Sequence, residues 1–177
     1  LMLSQKLPEP AMKNVEYIKE CSKSLLMIVN DILDVSKIEA DKLLLEKLSF
    51  DVQDTVETAM SIVQKQIEDK GLKFNVNISK DTPRIITGDP LRVRQVLINL
   101  LSNAVKFTEK GSITVEVNTT QKDNDELKVV FKVIDTGVGI PAGAINKIFK
   151  SFEQVDNSTT RNYGGTGLGL TVCTKLT

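Results

Sequence analysis

Residues 88–108 read GDPLRVRQVLINLLSNAVKFT, and this stretch decides the fold of the chain. Asp89 can cap a helix through its side chain and Pro90 suits the first helical position, so we predict a helix over 90–107. At about 100° per residue, the apolar residues gather on one side of this helix. Four polar side chains share a narrow stripe on the opposite side: Gln95, Asn99, Asn103 and Lys106.

This polar stripe has two interpretations. Asparagine oxygens are hard ligands that suit Mg²⁺ where phosphates supply the remaining charge, and a nearby lysine offers a point charge to a phosphate. Alternatively, the stripe is an ordinary solvent-facing side in which these residues have no task, and for this helix alone that interpretation is the simpler one. A functional interpretation therefore needs support from other parts of the chain.

Two glycine-bearing segments provide that support. Asp135-Thr136-Gly137-Val138-Gly139-Ile140 follows an apolar strand, where an aspartate can accept a hydrogen bond from an exocyclic amine such as that of adenine. Residues 164–169 contain four glycines before a predicted helix, so their backbone N–H groups can bind an anion. Taken singly, a tight turn explains the first segment and a flexible hinge explains the second.

Composition excludes several classes of function. The chain has 177 residues, 23 basic and 23 acidic, and no histidine, which excludes Ser-His-Asp catalysis and histidine-based zinc sites within it. The zero net charge argues against binding to nucleic acid or to anionic membranes. The two cysteines, Cys21 and Cys173, are far apart, so we expect buried reduced thiols and no redox or zinc pair.

The chain divides into two regions by pattern. Within residues 1–48, a coiled-coil spacing predicts an oligomerisation helix, with a simple core helix as the alternative; the spacing is carried by Val15, Ile18, Ser22, Leu25, Val29 and Ile32. Residues 49–177 predict helices and strands in the order helix, strand, helix, strand, strand, helix. We therefore predict an α+β domain, with a mixed sheet that has helices on one face. The predicted elements are helix 51–70 ended by Gly71, strand 74–78, helix 90–107, strands 113–117 and 127–134, a short helix after Pro141 and a last helix after the second glycine cluster.

Together, and in this order, the segments resemble the motifs of sensor histidine kinases of two-component systems, particularly the hybrid type. Residues 95–108 resemble the N box, 135–140 the G1 box, 148–154 the F box and 164–170 the G2 box. Residues 25–40 resemble the second helix of the dimerisation and phosphotransfer hairpin. The resemblance implies a Bergerat-type α/β sandwich of the GHKL superfamily, preceded by a long helix of a dimerisation bundle.

The resemblance also implies a phosphate end of an ATP site. Asn103 would be the Mg²⁺ ligand, and Asn99 would line the same site. Lys106 would contact the ATP phosphates, and Arg161, in a lid loop over 141–163, would lie near the terminal phosphate. By the same resemblance, the second glycine cluster would bind the nucleotide through Gly165, Thr166, Gly167, Leu168 and Gly169.

At the adenine end, the resemblance assigns the base amine to Asp135. Phe107 would line the nucleotide pocket, and the pocket beside Asp135 would be shaped by Gly137, Gly139 and Ile140. The implied cofactors are ATP and Mg²⁺.

The function implied is an ATP-dependent histidine autokinase module that transfers the γ-phosphoryl group to a histidine outside this chain, because the chain has none. We expect residues 1–48 to be part of the phosphotransfer hairpin and 49–177 to be a catalytic domain that continues beyond its last residue. The implied partners are a second copy, through the N-terminal helix, and a response-regulator receiver domain. The implied location is the cytoplasm, with a membrane reached only through parts of the parent protein outside this chain.

Two other functions remain open. One is a nucleotide-binding regulatory module, a degenerate kinase that changes state with ATP or ADP but transfers nothing. The other is an ATPase of the GHKL type, related to Hsp90, gyrase and MutL, which shares the pocket. The 25–40 segment and the F box resemble the kinases more closely.

Overall fold

The chain forms two compact units, Leu1–Leu43 and Leu44–Thr177. A computed structural model describes residues 8–40, 42–121, 127–145, 147–149 and 167–177. Within the described part of the first unit, helix α1 spans Glu9–Glu39, with a proline in its first turn that suits a helix start. Its predicted seam is largely exposed in the single chain, as are several neighbouring apolar side chains: Tyr17, Ile18, Leu25, Leu26, Val29, Ile32 and Leu33.

The second unit has the element order predicted, with two additional strands. Its elements are β1 Leu48–Asp51, α2 Val52–Asp69, β2 Lys73–Ile78, β3 Ile85–Gly88, α3 Pro90–Phe107, β4 Ser112–Gln121, β5 Leu127–Asp135, a 3₁₀ turn at Ala142–Ala144 and α4 Gly169–Leu176. The α+β class is therefore confirmed. The short strands β1 and β3 were not predicted.

The described residues form two sheets, where the sequence predicted one. In the three-stranded sheet, β2 runs parallel to β4 and β4 runs antiparallel to β5, so this sheet is mixed as predicted. The register places Phe74 opposite Ile113, and Val115 opposite Val133. The separate two-stranded sheet pairs β1 with β3 in antiparallel fashion, with Phe50 opposite Ile86.

Within the part of the chain that the structure describes, a hydrophobic core joins α2 and α3 to one face of the three-stranded sheet. Strand β4 contributes alternate residues that are fully buried, as the predicted alternation requires: Ile113, Val115 and Val117. The helices contribute Val52, Val56, Ala59, Val63, Ile67, Leu97, Leu101, Ala104 and Val105. This packing fixes the rotation of α3 about its own axis.

Both central helices begin at aspartate caps. The carboxylate of Asp89 accepts hydrogen bonds from the backbone N–H groups of Leu91 and Arg92, at 3.1 Å each, which confirms the predicted cap. Asp51 caps α2 in the same way, and the Arg84 guanidinium, 2.7 Å from its carboxylate, lowers the pKa of Asp51. Gly71 ends α2 as predicted, with a φ of +63° that favours glycine.

The cysteine prediction was half right. Cys173 is buried in α4, whereas Cys21 is exposed on α1. Among the helices that the structure describes, none has the length and apolar character needed to cross a membrane.

Removing a core leucine from α3 tests this packing. Leu101→Ala should lower the free energy of unfolding by about 2–5 kcal/mol, because Leu101 is fully buried and the cavity cannot close completely. Leu91→Ala is the matched control on the same helix; Leu91 is 61% exposed, so its effect should stay below about 0.5 kcal/mol. Urea unfolding followed by circular dichroism measures both. Equal losses in the two variants would contradict the packing described.

Candidate active site

Helix α3 presents the four residues of the predicted polar stripe on the side away from the core. Gln95, Asn99, Asn103 and Lys106 are each partly exposed. The opposite side is buried through Leu97, Leu101, Ala104 and Val105. The core packing sets which way the polar face points, and the Asp89 cap fixes where the helix begins.

The first residue of that face is held by a neighbour on the same helix. The guanidinium Nη1 of Arg92 donates a hydrogen bond of 2.8 Å to Oε1 of Gln95. Arg92 was not predicted as a site residue. The signal was available in the sequence, because residues three apart on a helix are neighbours and arginine donates readily to an amide oxygen.

Asn99 joins α3 to the start of α4. Its amide Nδ2 lies 3.4 Å from the carbonyl oxygen of Gly169, a long hydrogen bond. A Cβ added at Gly169 would lie 3.4 Å from the Asn99 carboxamide carbon, so a larger residue there would press on Asn99. The structure therefore brings the predicted N-box and G2-box residues into contact.

Helix α4 is anchored at several points. Leu168, just before it, is buried, and Gly167 adopts a φ of +70° that turns the chain into the helix. The Cys173 thiol lies 3.9 Å from the Val96 carbonyl oxygen of α3, and the Thr171 hydroxyl lies 3.4 Å from the Phe149 carbonyl oxygen. These contacts tie the G2-box helix to both the N-box helix and the F-box segment.

The G1 segment meets the end of α3 through backbone atoms. Oδ1 of Asp135 accepts a hydrogen bond of 2.9 Å from the Gly137 N–H, and the Val138 N–H lies 3.3 Å from the carbonyl oxygen of Phe107. A Cβ added at Gly137 would come within 2.4 Å of that same oxygen. Only glycine leaves room for this contact, which explains the residue type at 137.

The neighbouring turn is closed by a threonine that sequence reasoning missed. The Thr136 hydroxyl accepts a hydrogen bond of 3.0 Å from the Ser112 N–H, and the Thr136 N–H donates to the Ser112 carbonyl at 3.2 Å. Gly111 has a φ of +120° and packs against the same hydroxyl. These bonds fix the end of β5, which positions Asp135.

Lys106 lies at the boundary between the polar face and the end of the helix. Its ammonium is 4.9 Å from the centre of the Phe107 ring, within cation–π range. Partial burial lowers the pKa of Lys106, because desolvation disfavours the charged form. An anion placed beside this ammonium would oppose that effect.

The remaining predicted residues are less informative. Gly139, with a φ of +71°, and Ile140 are both exposed in the loop after β5. Arg161, Gly165 and Thr166 lie outside the described residues. Within the described ranges, no three His, Cys, Asp or Glu side chains lie close enough together to hold a metal ion. A cation here would depend on neutral ligands such as Asn103 together with ligand phosphates.

Residues 88–177 match the family described as histidine kinase-, DNA gyrase B- and HSP90-like ATPase. The chain belongs to this ATPase family. The matched region contains α3, the G1 segment and α4, which are the elements that meet in the candidate site. The resemblance stated from the sequence motifs is thereby confirmed at the level of the family.

Similar proteins identify the branch of the ATPase family. The Escherichia coli signal transduction histidine-protein kinase BarA is 39% identical over 176 residues, covering 99% of this chain and 19% of BarA. The Dictyostelium discoideum hybrid signal transduction histidine kinase A is 39% identical over 182 residues, covering 99% of this chain and 8% of that protein. The Pseudomonas syringae sensor protein GacS is 39% identical over 159 residues, covering 90% of this chain and 18% of GacS. This chain is therefore a catalytic domain of the histidine kinase type, and it spans less than a fifth of these relatives.

Solved structures agree with this assignment. Full-length ShkA in complex with AMPPNP matches with a TM-score of 0.76 and 30% identity, covering 98% of this chain and 35% of that one. The Acinetobacter baumannii histidine kinase AdeS matches with a TM-score of 0.70 and 24% identity, covering 97% of this chain and 74% of that one, which supports the fold.

A methyl group at Gly137 tests the contact between the G1 segment and α3. Gly137→Ala should cost about 1–3 kcal/mol of unfolding free energy, because the added Cβ collides with the Phe107 carbonyl and backbone must move. Gly143→Ala is the control, since a Cβ there meets nothing within 4 Å. Denaturant unfolding gives the energies, and the Val138 amide resonance in a ¹⁵N spectrum reports the local shift. An unmoved Val138 resonance would contradict the predicted collision.

Proposed function

We propose that this chain is the Mg²⁺- and ATP-dependent autokinase module of a hybrid sensor histidine kinase. In this proposal it binds ATP and presents the γ-phosphoryl group to a histidine outside the chain. The carrying observation is that α3 contacts both other motifs, the G1 segment through the Phe107 carbonyl and α4 through Asn99. Membership of the ATPase family and the hybrid kinases among its relatives support the same conclusion.

The adenine end would be formed by the G1 segment. Asp135 is exposed at the end of β5, and Oδ1 is oriented by the Gly137 N–H, so Oδ2 can accept from the adenine amine. Phe107, 37% exposed, would form one wall, and Gly137, Gly139 and Ile140 would shape the pocket beside Asp135. The complex of ShkA with AMPPNP supports an adenine nucleotide as the ligand.

The phosphate end would follow the polar face of α3. Asn103 would provide the oxygen ligand for Mg²⁺, and Lys106 would contact a phosphate with its ammonium. Mg²⁺, when bound, would neutralise charge on the phosphate oxygens. Backbone N–H groups of the second glycine cluster would contribute as well, through Gly165, Thr166, Gly167, Leu168 and Gly169.

Catalysis in this proposal is positioning combined with electrostatic stabilisation. Phosphoryl transfer needs little covalent chemistry from the protein, since the reacting groups mainly require alignment and charge neutralisation. Asn99, Lys106 and Arg161 would stabilise the transferring group. Asn99 has a second task in the structure, because its amide also reaches the Gly169 carbonyl.

The partners of the module follow from α1 and from the relatives. We propose that residues 1–48 belong to a dimerisation and phosphotransfer hairpin, and that residues 49–177 belong to a Bergerat-type catalytic domain. The exposed apolar side chains of α1, among them Leu25, Val29 and Ile32, would be covered by a second copy. The hybrid kinases among the relatives support a receiver domain as the next phosphate acceptor.

The metal-ligand role is tested at Asn103. Asn103→Ala should weaken Mg²⁺-dependent ATP binding at least about tenfold, because it removes the proposed oxygen ligand. Ser102→Ala, the adjacent exposed position on α3, is the matched control and should bind as the parent chain does. Isothermal titration calorimetry with and without Mg²⁺ separates the metal contribution. Equal binding by both variants would remove Asn103 from the metal site.

Transfer itself is tested with radiolabelled ATP and a helical hairpin that carries an acceptor histidine, supplied in trans. We expect acid-labile, alkali-stable label on the hairpin and none on this chain, which has no histidine. ADP production without labelled protein would favour the GHKL-type ATPase. Binding without turnover would favour the regulatory module, and absence of binding would contradict all three functions.

Alkaline pH tests Lys106. The lowered pKa means that the ammonium loses its proton at a pH below its ordinary value of 10.5. A phosphate contact requires the protonated form, so the contact is fully present well below that pKa and is lost as pH rises through it. ATP affinity should therefore begin to fall at a pH below the ordinary lysine pKa of 10.5, and Lys106→Arg should flatten this part of the profile. Titration at several pH values measures it; identical profiles would exclude a Lys106–phosphate contact.

A further inference from the structure

A lysine outside the predicted site holds the end of the N-box helix. The Lys70 ammonium donates to three backbone carbonyl oxygens, those of Val105 at 2.8 Å, Lys106 at 3.3 Å and Thr108 at 3.2 Å. The Glu109 carboxylate lies 3.6 Å from the same nitrogen. An ammonium has three N–H donors, so this set of carbonyls matches its capacity.

The position of Lys70 is itself fixed by the end of α2. The Leu72 N–H donates to the Ile67 carbonyl and the Gly71 N–H to the Glu68 carbonyl, both at 3.0 Å, which closes the helix around a glycine of positive φ. Leu72 and Ile67 are buried in the core. The side chain of Lys70 is only 28% exposed, and it connects the C-terminal end of α2 to the C-terminal end of α3.

The carbonyls at the end of α3 are shared between Lys70 and the G1 segment. The Ala104 carbonyl accepts from the Thr108 N–H within the helix, and the Phe107 carbonyl accepts from the Val138 N–H. The carbonyls on either side of Phe107 are those bound by Lys70. The oxygen that contacts the G1 segment therefore lies between two oxygens fixed by one ammonium.

We propose that Lys70 is a positioning residue for nucleotide binding. Lys70 fixes the last turn of α3 by binding its carbonyl oxygens. It thereby positions the side chains of Lys106 and Phe107, and also the Phe107 carbonyl that accepts from the Val138 N–H. Lys70 would not touch the nucleotide in this arrangement. The inference rests on the proposed function, since it assumes that the nucleotide binds against these residues.

The experiment compares Lys70→Met with Lys70→Arg in the 177-residue chain, using AMPPNP with Mg²⁺ as the probe. Lys70→Met should raise the Kd about fivefold to twentyfold and should speed hydrogen exchange at the Val138 amide, because three charge-assisted bonds are lost. Lys70→Arg retains the charge, so its Kd and its Val138 exchange rate should be close to those of the parent chain. Lys65→Met, an exposed lysine of α2, is the matched control and should change neither.

The outcomes separate positioning from simple stabilisation. A Lys70→Met variant that melts earlier yet binds AMPPNP within twofold of the parent chain would overturn the proposal. If that variant does not fold, Lys70→Gln, which keeps a neutral donor, must raise the Kd about threefold or more for the proposal to stand. If the parent chain itself fails to bind, the proposed function fails, and Val138 exchange still decides whether Lys70 holds the G1 contact.

Discussion

The packing of α3 against α2 and the sheet is the constraint on which the rest of the structure depends. Leu97 and Leu101 are almost fully buried, and they fix the rotation of the helix. Because side chains on a helix have fixed angular relations, burying one side determines where the other side points. This packing is sufficient to make Asn99 and Asn103 face outward together. A site on such a helix is more rigid than one on loops, which suits chemistry that depends on alignment.

The contact between α3 and the G1 segment adds a second constraint, and it explains a residue type that capping and patterning do not. A Cβ at position 137 would collide with the Phe107 carbonyl oxygen, and the Val138 N–H bonds to that oxygen. Two segments that are distant in sequence thus meet without a side chain between them. The aspartate at the end of β5 is held beside the helix end as a result. Position 137 requires glycine because the Phe107 carbonyl is too close for a Cβ. A positive φ is not the reason at 137; the φ of +71° is that of Gly139.

Local signals in the sequence were sufficient for the central elements. The Asp89 cap, the stop at Gly71 and the alternation of Ile113, Val115 and Val117 each predicted what the structure contains. The two strands of the small sheet were missed because each has four residues and offers no alternation long enough to identify. Contacts such as Asn99 with Gly169 depend on residues 70 positions apart, so no local pattern could indicate them. Residue chemistry suggested possible roles for the polar stripe and the glycine segments, but only the family resemblance favoured those roles over a solvent-facing side and simple turns.

Electrostatics connects the end of α3 to the chemistry that we propose. The C-terminal carbonyls of a helix carry a partial negative charge, which would repel a triphosphate bound along its last turns. In this structure the Lys70 ammonium and the Val138 N–H donate hydrogen bonds to those carbonyls, and the Lys106 ammonium lies at the same end of the helix. The repulsion is thereby offset by groups that belong to the fold. In the function that we propose, such an arrangement would let neutral amides on the outer face bind metal and phosphate without a carboxylate cluster, which would add negative charge beside the nucleotide. By this proposal the chain would hold a phosphoryl donor without any histidine of its own, and the acceptor would have to be brought to it.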